Sequence, residues 1–227
     1  MDDPPSTPTI VEVRNAARSR QRLITLSDGR EFVFSEEACE RVGVAEGDVA
    51  EPELFETLEA AEQRVGAHEA ALRLLSHRAR SETEMRTRLA MRGVAPSAIE
   101  DEIERLRRAG LLDDEKFARA WVEDRKRIAP RGRRMLRYEL LGRGIEPESI
   151  ELVTSEIDDR ATATDLARVR ARKIPTDDYT SFFTKIAEFL RRRGFDYEVA
   201  AEATRLAWAE VQAEAEPAAQ IAPATDS

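Results

Sequence analysis

Arginine is the residue type in this chain whose distribution could support chemistry. Its guanidinium group binds a phosphate or a carboxylate through two parallel hydrogen bonds, and arginines recur in three clusters along the sequence. The candidate partner-binding residues are Arg78, Arg80, Arg86, Arg88, Arg92, Arg125, Arg127, Arg131, Arg133, Arg134, Arg137, Arg143, Arg191, Arg192 and Arg193. Because the helix dipole also favours basic residues near a helix C-terminus, each arginine has a structural interpretation as well. Recurrence in three clusters favours the binding of an anionic partner.

Residue types that commonly carry catalysis are few. His68 and His77 lie nine residues apart on one predicted helix, and the single cysteine, Cys39, belongs to another element. This spacing gives neither a metal-binding cluster nor a nucleophile paired with a base, and the sequence has no glycine-rich phosphate loop. The acidic pairs Asp113-Asp114 and Asp177-Asp178 are interpreted as helix N-caps. We therefore expect no catalytic residue, no metal and no cofactor, in a protein that is not an enzyme.

The basic clusters belong to a repeating pattern of an apolar residue, basic residues and a glycine. Its glycines, Gly93, Gly144 and Gly194, are 51 and then 50 residues apart, close to the period of roughly 20–50 residues that is typical of tandem repeats. Glycine ends a helix because the residue after the cap takes a positive φ, and proline at the first helical position opens the next helix. Pro96 and Pro147 follow the first two glycines by three residues. The pattern predicts small helical units joined by tight corners.

These signals predict an all-α fold, a tandem array of three three-helix repeats, with a small β-containing extension at its N-terminal side. The predicted segments are a disordered start (1–9), a β-meander and helix extension (10–65), three helical repeats (66–112, 113–157 and 158–213) and a disordered tail (214–227).

Local signals place the ends of several elements. Asp28-Gly29 predicts the turn of a hairpin, Gly43 the end of a short helix, and Pro52 the start of a long helix. Ser81, with Glu84 three residues later, forms a capping box. The predicted helices of the repeats include 82–92, 96–109, one that begins at Asp113 or Asp114, 133–143 and 147–157.

Charge is distributed unevenly along the chain. The net charge of −9 comprises −8 over residues 1–65 (7 basic, 15 acidic), +6 over 66–145 (19 and 13) and −7 over 146–227 (10 and 17). The basic middle keeps nucleic acid among the candidate partners, although the acidic ends oppose it. No apolar run approaches the roughly 18 residues of a membrane span and no apolar segment follows Met1, so we expect a cytoplasmic protein without membrane contact.

Three stretches carry a recognisable family pattern. Leu74–Met85 reads LLSHRARSETEM, Gly110–Val122 reads GLLDDEKFARAWV, and Leu190–Phe195 reads LRRRGF. The first is similar to an L-L-x-x-R-x-R-S-x-x-E-L motif, with methionine in place of the last leucine. In this order they resemble the RecX family, bacterial regulatory proteins of the RecA recombinase, over residues 69–208. Residues 10–35 are similar to the β-containing extension of longer members.

The resemblance implies a non-enzymatic array of three-helix repeats that lodges in the groove of the RecA filament on DNA. There it would inhibit ATP hydrolysis, strand exchange and co-protease activity, and so moderate recombination and the SOS response. We expect it to act as a monomer, with at most weak direct contact to DNA. We also expect Arg133, Arg134 and Arg137 to lie exposed, so that reversing their charge leaves the melting temperature nearly unchanged.

Two alternative functions also involve the binding of phosphate groups. A sequence-independent DNA-binding protein could use the repeated arginines as a basic strip, and the salt dependence of binding separates it from a filament regulator. A nucleotide-dependent enzyme is the weaker alternative, because the sequence has no phosphate loop.

Overall fold

The computed structural model describes residues 7–175 and 177–219, and the chain divides between Asp113 and Asp114 into two compact units. The division lies one residue from the predicted boundary between the first and second repeats. In the N-terminal unit the elements are β1 (Ile10–Asn15), β2 (Gln21–Leu26), β3 (Glu31–Ser35), α1 (Glu36–Val42), α2 (Pro52–His77), α3 (Glu82–Ala90) and α4 (Pro96–Arg108). In the C-terminal unit they are α5 (Asp114–Ile128), α6 (Arg133–Leu141), α7 (Pro147–Thr154), α8 (Asp159–Ala171), α9 (Tyr179–Arg192) and α10 (Tyr197–Ala219).

The predicted β-meander is confirmed. Strands β1, β2 and β3 form an antiparallel sheet in that order, and Gly29 takes a φ of 86° in the turn between β2 and β3. Alternate apolar residues of the sheet point to one side, where Ile24 and Phe34 pack against Leu58 of α2. The predicted end of α1 at Gly43 is confirmed as well, and the Ser35 hydroxyl accepts the N–H of Ala38 at the start of the helix.

Helix α2 changes its packing partner along its length. Its first half contributes Leu58 to the sheet core, whereas Ala70, Ala71 and Leu74 in its second half pack with α3 and α4. The helix therefore runs unbroken through the predicted segment boundary at residue 65. Beyond it, the N–H of Glu84 donates to the Ser81 hydroxyl at 3.2 Å, which confirms the predicted cap of α3.

Each group of three consecutive helices in the C-terminal unit has its own apolar core. Helices α5 to α7 bury a cluster that includes Phe117, Leu136 and Ile150, and α8 to α10 bury one that includes Phe182 and Phe195.

The three glycine corners share one hydrogen-bonding pattern. Gly93, Gly144 and Gly194 have φ values of 77°, 75° and 90°, as predicted for residues that end helices. In each corner the residue after the glycine donates its N–H to the leucine five positions earlier, namely Val94 to Leu89, Ile145 to Leu140 and Phe195 to Leu190. This is the Schellman arrangement, which satisfies carbonyls that the helix leaves unpaired. All three leucines are buried.

Several element ends differ from the sequence expectation. Helices α3 and α6 end two residues early, because Arg92 and Arg143 already belong to the corner, and α7 ends at Thr154 instead of Ile157. Helix α10 continues to Ala219, so the predicted disordered tail begins too early. The predicted disorder of residues 1–9 is wrong for Pro8 and Thr9, which pair with residues 49 and 50, whereas residues 1–6 lie outside the described residues.

Candidate functional site

A largely buried glutamate, Glu139, pairs with basic residues of α5 and of the loop between α5 and α6. The carboxylate oxygen Oε2 of Glu139 on α6 accepts hydrogen bonds from Trp121 Nε1 and Arg125 Nε of α5, both at 2.8 Å. Its other oxygen lies 2.8 Å from Arg131 Nε in the α5–α6 loop, an ion pair whose N–H is not aligned for a hydrogen bond. The Glu139 side chain is only 15% exposed, so these contacts are poorly screened by water.

Trp121 adds a second fixed point for the same arginines. The guanidinium carbon of Arg143, in the corner after α6, lies 3.7 Å from the centroid of the indole ring, and that of Arg125 lies 4.3 Å away. Both distances are within the range of cation–π attraction, roughly 6 Å. Glu139 and Trp121 together hold three guanidinium groups near one place.

Two further arginines continue this basic surface at α8 and the end of α9. Arg193 and Arg170 lie 4.6 Å and 5.4 Å from the ring of Phe189 on α9. The pKa of Arg193 lies below its ordinary value because burial desolvates the guanidinium and because the charges of Arg131 and Arg170 oppose it. Arg125, Arg131, Arg143, Arg170 and Arg193, with Trp121 and Phe189, form a continuous surface that we name the basic track.

Backbone contact between two loops brings the two halves of the basic track together. The N–H of Gly132 donates to the Arg193 carbonyl at 2.9 Å, and Arg193 Nη1 donates to the Pro130 carbonyl at 3.2 Å. A Cβ atom on Gly132 would lie 2.5 Å from the Gly194 carbonyl oxygen, so only glycine permits this approach. Arg131 and Arg193, 62 residues apart in sequence, thereby become neighbours.

A small basic cleft lies between α6 and α9. It has a volume of about 250 Å³ and is lined by Arg134, Glu188, Arg191 and Arg192. Arg192 pairs with Glu188 at 3.5 Å, and Arg134 lies 4.0 Å from Asp196. Arg191 makes no ion pair with any residue that the structure describes. The cleft therefore offers at least one guanidinium for an incoming anionic group.

The N-terminal unit carries its own arginine cluster around the start and end of α3. Arg80 donates from Nε to the Leu74 carbonyl at 3.2 Å, and its pKa is lowered by burial and by the nearby charges of Arg78, Arg88 and Arg92. Arg78 pairs with Glu84, whereas neither Arg88 nor Arg92 forms an ion pair within the described part of the chain. Like charges this close favour an anionic partner.

Four of the predicted residues have mainly intramolecular contacts. Arg86 grips Glu100 through two nitrogens at 2.9 Å and 3.1 Å, which raises its pKa and joins α3 to α4. Arg137 pairs with Glu151, and Arg127 makes an exposed pair with Asp124. Arg133 donates its backbone N–H to Asp159 at 3.0 Å, and its side chain lies 3.7 Å from the same carboxylate.

These pairs bear on the expected stability of the charge-reversal variant. Reversing Arg133, Arg134 and Arg137 to glutamate would place three carboxylates beside Asp159, Asp196 and Glu151. Asp159 is only 11% exposed, and burial already raises its pKa. We therefore expect such a variant to lose stability through the repulsion at Asp159, whereas the exposed positions of the three arginines themselves agree with the prediction.

The sequence analysis does not identify three residues of the basic track, Trp121, Arg170 and Phe189. It also does not identify Glu139, which pairs with two arginines of the track. The spacing of Trp121 and Arg125, one helical turn apart, is the available signal, since residues at i and i+4 share a helix face. Arg170 and Phe189 belong to different helices, so no local pattern relates them.

His68 and Cys39, whose residue types often act in catalysis, are placed within the folded core or its edge. His68 Nδ1 is 2.9 Å from an oxygen of the buried Glu102, and Cys39 is buried, which raises its pKa. Within residues 7–175 and 177–219, no three His, Cys, Asp or Glu side chains are placed to hold a metal. The helices described there are also too short or too polar to cross a membrane.

Comparison with known proteins identifies the family. Residues 67–106 match the model of the first three-helix domain of RecX, and residues 113–153 match that of the second. "Regulatory protein RecX" of Chlorobium phaeobacteroides (strain BS1) is 38% identical over 130 residues, which cover 57% of this chain and 85% of that protein. The protein of the same name from Mycolicibacterium smegmatis is 33% identical over 141 residues, 59% of this chain and 75% of that protein.

The chain belongs to the RecX family. Two solved RecX structures share its fold. One, at 21% identity, aligns with a TM-score of 0.68 over 85% of this chain and 96% of its own. The other, from Lactobacillus salivarius, gives 0.60 at 22% identity over 65% and 97%. The first matched RecX domain spans the second half of α2, α3 and α4, and the second spans α5 to α7. The basic track therefore begins in the second RecX domain.

Proposed function

We propose that this RecX-family chain is a tandem array of three three-helix repeats. The two matched domains account for the first two repeats, and α8 to α10 form the third. Support comes from the shared corner, because Gly194 repeats the φ and the hydrogen bonds of Gly93 and Gly144 at the predicted interval. A separate apolar core in each group of three helices is a further property of such arrays.

The proposed function is regulation of the RecA recombinase without catalysis by the regulator. The protein acts in the cytoplasm as a monomer, binds along the groove of the RecA filament on DNA, and damps ATP hydrolysis, strand exchange and co-protease activity. The family membership supports RecA as the partner. The observation that carries the binding mode is the basic track, which joins the corners of two successive repeats into one surface.

The chemistry of the track suits a filament that presents both phosphates and acidic side chains. Guanidinium groups bind either anion through paired hydrogen bonds, and Glu139 and Trp121 fix Arg125 before a partner arrives. Preorganised side chains lose less conformational entropy on binding. A surface that extends over two repeats can also follow a helical polymer, whereas a single-site binder would need only one.

A sequence-independent DNA-binding function remains the second candidate. The observation in its favour is the combination of arginines with Trp121 and Phe189, because aromatic rings and cations together bind single-stranded nucleic acid. In this chain the guanidinium groups lie over those rings, which leaves less of each ring for a base to stack on. The acidic ends of the sequence oppose binding to bare DNA as well.

The cleft between α6 and α9 gives the most direct test. We expect Arg191→Ala together with Arg192→Ala to raise the concentration needed for half-inhibition of RecA ATPase on single-stranded DNA by about tenfold. The matched control is Arg119→Ala with Arg160→Ala, which removes two exposed arginines of the same unit whose partners are Glu115 and Glu202. Equal loss in both variants would show that total charge, and not this surface, is responsible. Full inhibition by the first variant would remove the cleft from the interface.

A further inference from the structure

A second cleft lies in the N-terminal unit, and none of its lining residues is a candidate partner-binding residue. It has a volume of about 570 Å³, and its charged lining consists of Arg41, Arg64, Asp101, Glu102, Arg105 and Arg108. These residues come from α1, α2 and α4, with Ala98 and Ala109 leaving space between them. Small-molecule sites commonly have volumes of roughly 300–1,000 Å³, so the cleft has the size of such a site.

We propose that this cleft binds a phosphorylated small molecule that carries hydroxyl groups, with a sugar phosphate as the shared chemical element. Four guanidinium groups from three helices face one space, and a phosphate monoester offers three acceptor oxygens and a charge of about −1.5 to −2 to them. A carboxylate has two oxygens and is matched by one guanidinium fork. Several converging arginines therefore fit a phosphate better than a carboxylate.

The existing ion pairs leave capacity for a ligand. Arg64 pairs with Asp101 at 2.8 Å, Arg41 with Glu37 at 2.7 Å and Arg108 with Glu104 at 3.4 Å. Each of these arginines is at least 41% exposed, so the pairs are weak and can exchange for a doubly charged group. Arg105 has no ion pair among the residues that the structure describes.

Carboxylates in the lining provide the complementary contacts for hydroxyl groups. Glu102 is 3% exposed and is held by His68, whose Nδ1 lies 2.9 Å from Oε1. Asp101 is 54% exposed beside it and accepts from Arg64. Carboxylate oxygens accept hydrogen bonds from the hydroxyls of a sugar and repel a second phosphate. This mixed lining favours a compact ligand over a nucleic-acid strand, as does the net charge of −8 over residues 1–65.

The site is independent of the proposed RecA function. Arg41 precedes the first matched RecX domain, so the cleft is completed where the N-terminal extension packs on that domain. Loss of ligand binding and loss of RecA inhibition can therefore be measured separately on the same variants.

The test is isothermal titration of the full chain with AMP, ribose 5-phosphate, inorganic phosphate and sulfate at constant ionic strength. We expect AMP and ribose 5-phosphate to bind at one site per chain and more tightly than either inorganic ion. Arg105→Ala should weaken that binding about tenfold or more, since it removes a charge-assisted contact, while its melting curve stays that of the wild type because Arg105 is exposed and unpaired. Arg73→Ala, which removes an exposed arginine of α2 that does not line the cleft, is the control and should bind as the wild type does.

The ligand series separates the two sources of a sugar phosphate. Comparable affinity for both esters identifies the sugar phosphate as sufficient, and binding of AMP alone identifies a nucleotide. Binding of the esters no tighter than sulfate, or equal weakening by Arg73→Ala and Arg105→Ala, would overturn the proposal.

Discussion

Individual carboxylates determine where many arginines of this protein point. Glu139 fixes Arg125 and lies against Arg131, Glu100 accepts the fork of Arg86, and Glu82 accepts the fork of Arg107. Such pairing directs a flexible cation and removes part of its charge from the surface. The binding potential of an arginine here therefore depends on its acidic neighbour as much as on its own position.

Glu82 gives a prediction for the pH dependence of stability. Its oxygens accept from Arg107 Nε and Nη2 at 2.9 Å and 2.8 Å, and this pairing holds its pKa below the ordinary 4.5. A carboxylate whose pKa is lower in the folded state stabilises the fold above the unfolded value and loses that contribution as the pH falls through the folded one. We expect Glu82→Gln to lower the free energy of unfolding by about 1 kcal/mol at pH 7, because Arg107 is half exposed and the pair is partly screened.

The difference in the free energy of unfolding between the wild type and Glu82→Gln should decrease at acidic pH. Below pH 4.5 the unfolded wild-type chain binds a proton at Glu82 before the folded one does, so the free energies of urea unfolding of the two proteins should converge as the pH falls further. Glu148→Gln is the matched control, since Glu148 is an exposed glutamate in the first turn of α7. A difference between wild type and Glu82→Gln that persists unchanged at pH 3 would rule out the ion pair as its cause.

At the residue scale, sequence reasoning succeeded where the determinant is local. The cap at Ser81 and the positive φ of Gly93 and Gly144 follow from residues within one or two helical turns. The partners of the arginines did not follow, because Glu151 lies 14 residues from Arg137 and Asp159 lies 26 from Arg133. Which of many carboxylates pairs with an arginine is settled by tertiary packing.

At the scale of elements, the corner after α9 ends a helix and also contacts a neighbouring loop. The loop before α6 and the corner after α9 touch through Gly132 and Gly194, and this contact aligns Arg131 with Arg193. The sequence predicts each corner separately from its glycine and apolar residues. It does not predict their contact, because Gly132 has an ordinary extended φ of −71° and its requirement for a hydrogen atom in place of a side chain comes from the neighbouring corner.

Three alanine substitutions separate backbone strain from close contact. Gly93→Ala introduces only a left-handed conformation, since a Cβ there meets nothing within 4 Å, and should cost about 1–2 kcal/mol. Gly132→Ala introduces only overlap with the backbone of Gly194 and should cost about 2–3 kcal/mol. Gly194→Ala introduces both, because its Cβ would lie 2.4 Å from the Cβ of Met135, and should cost about 3–5 kcal/mol.

Urea unfolding of the three variants measures this order. The largest loss should come with Gly194→Ala and the smallest with Gly93→Ala. Wild-type stability in Gly132→Ala would mean that the two loops are not in contact in solution, and the basic track would then have no fixed junction.

Helix α10 is longer than the sequence predicts. The stretch from Glu214 onward has no apolar periodicity, so the sequence predicts a disordered tail that begins at residue 214. The helix nevertheless reaches Ala219. Alanine and glutamate have high intrinsic helix propensity and can extend a helix that tertiary packing has already started, even without a buried face.

At the scale of the whole molecule, acidic and basic residues are concentrated in different segments of the sequence. The segment 66–145 carries +6 between segments of −8 and −7. Within the C-terminal unit the basic track runs through acidic sequence, since Arg170 and Arg193 belong to the segment of net charge −7. The mostly helical fold and the corner positions are predictable from the period of the glycines, but the track is not, because it depends on the contact between the loop before α6 and the corner after α9.

This distribution leads to a prediction that separates a filament regulator from a simple DNA binder. Binding that depends on phosphates alone releases counterions, and six to ten such contacts would lose about 10³ to 10⁵ in affinity between 50 and 200 mM salt. On bare DNA the acidic segments add repulsion, so binding there should be weak and steeply salt dependent. A RecA filament also offers protein side chains, and contacts that depend on shape and apolar burial are little affected by salt.

We expect binding to the RecA–DNA filament, measured by fluorescence anisotropy, to persist at about 200 mM salt, where binding to bare single- or double-stranded DNA has largely disappeared. Comparable affinities for filament and bare DNA across the salt series would instead favour the DNA-binding function, because the track would then need nothing from RecA itself.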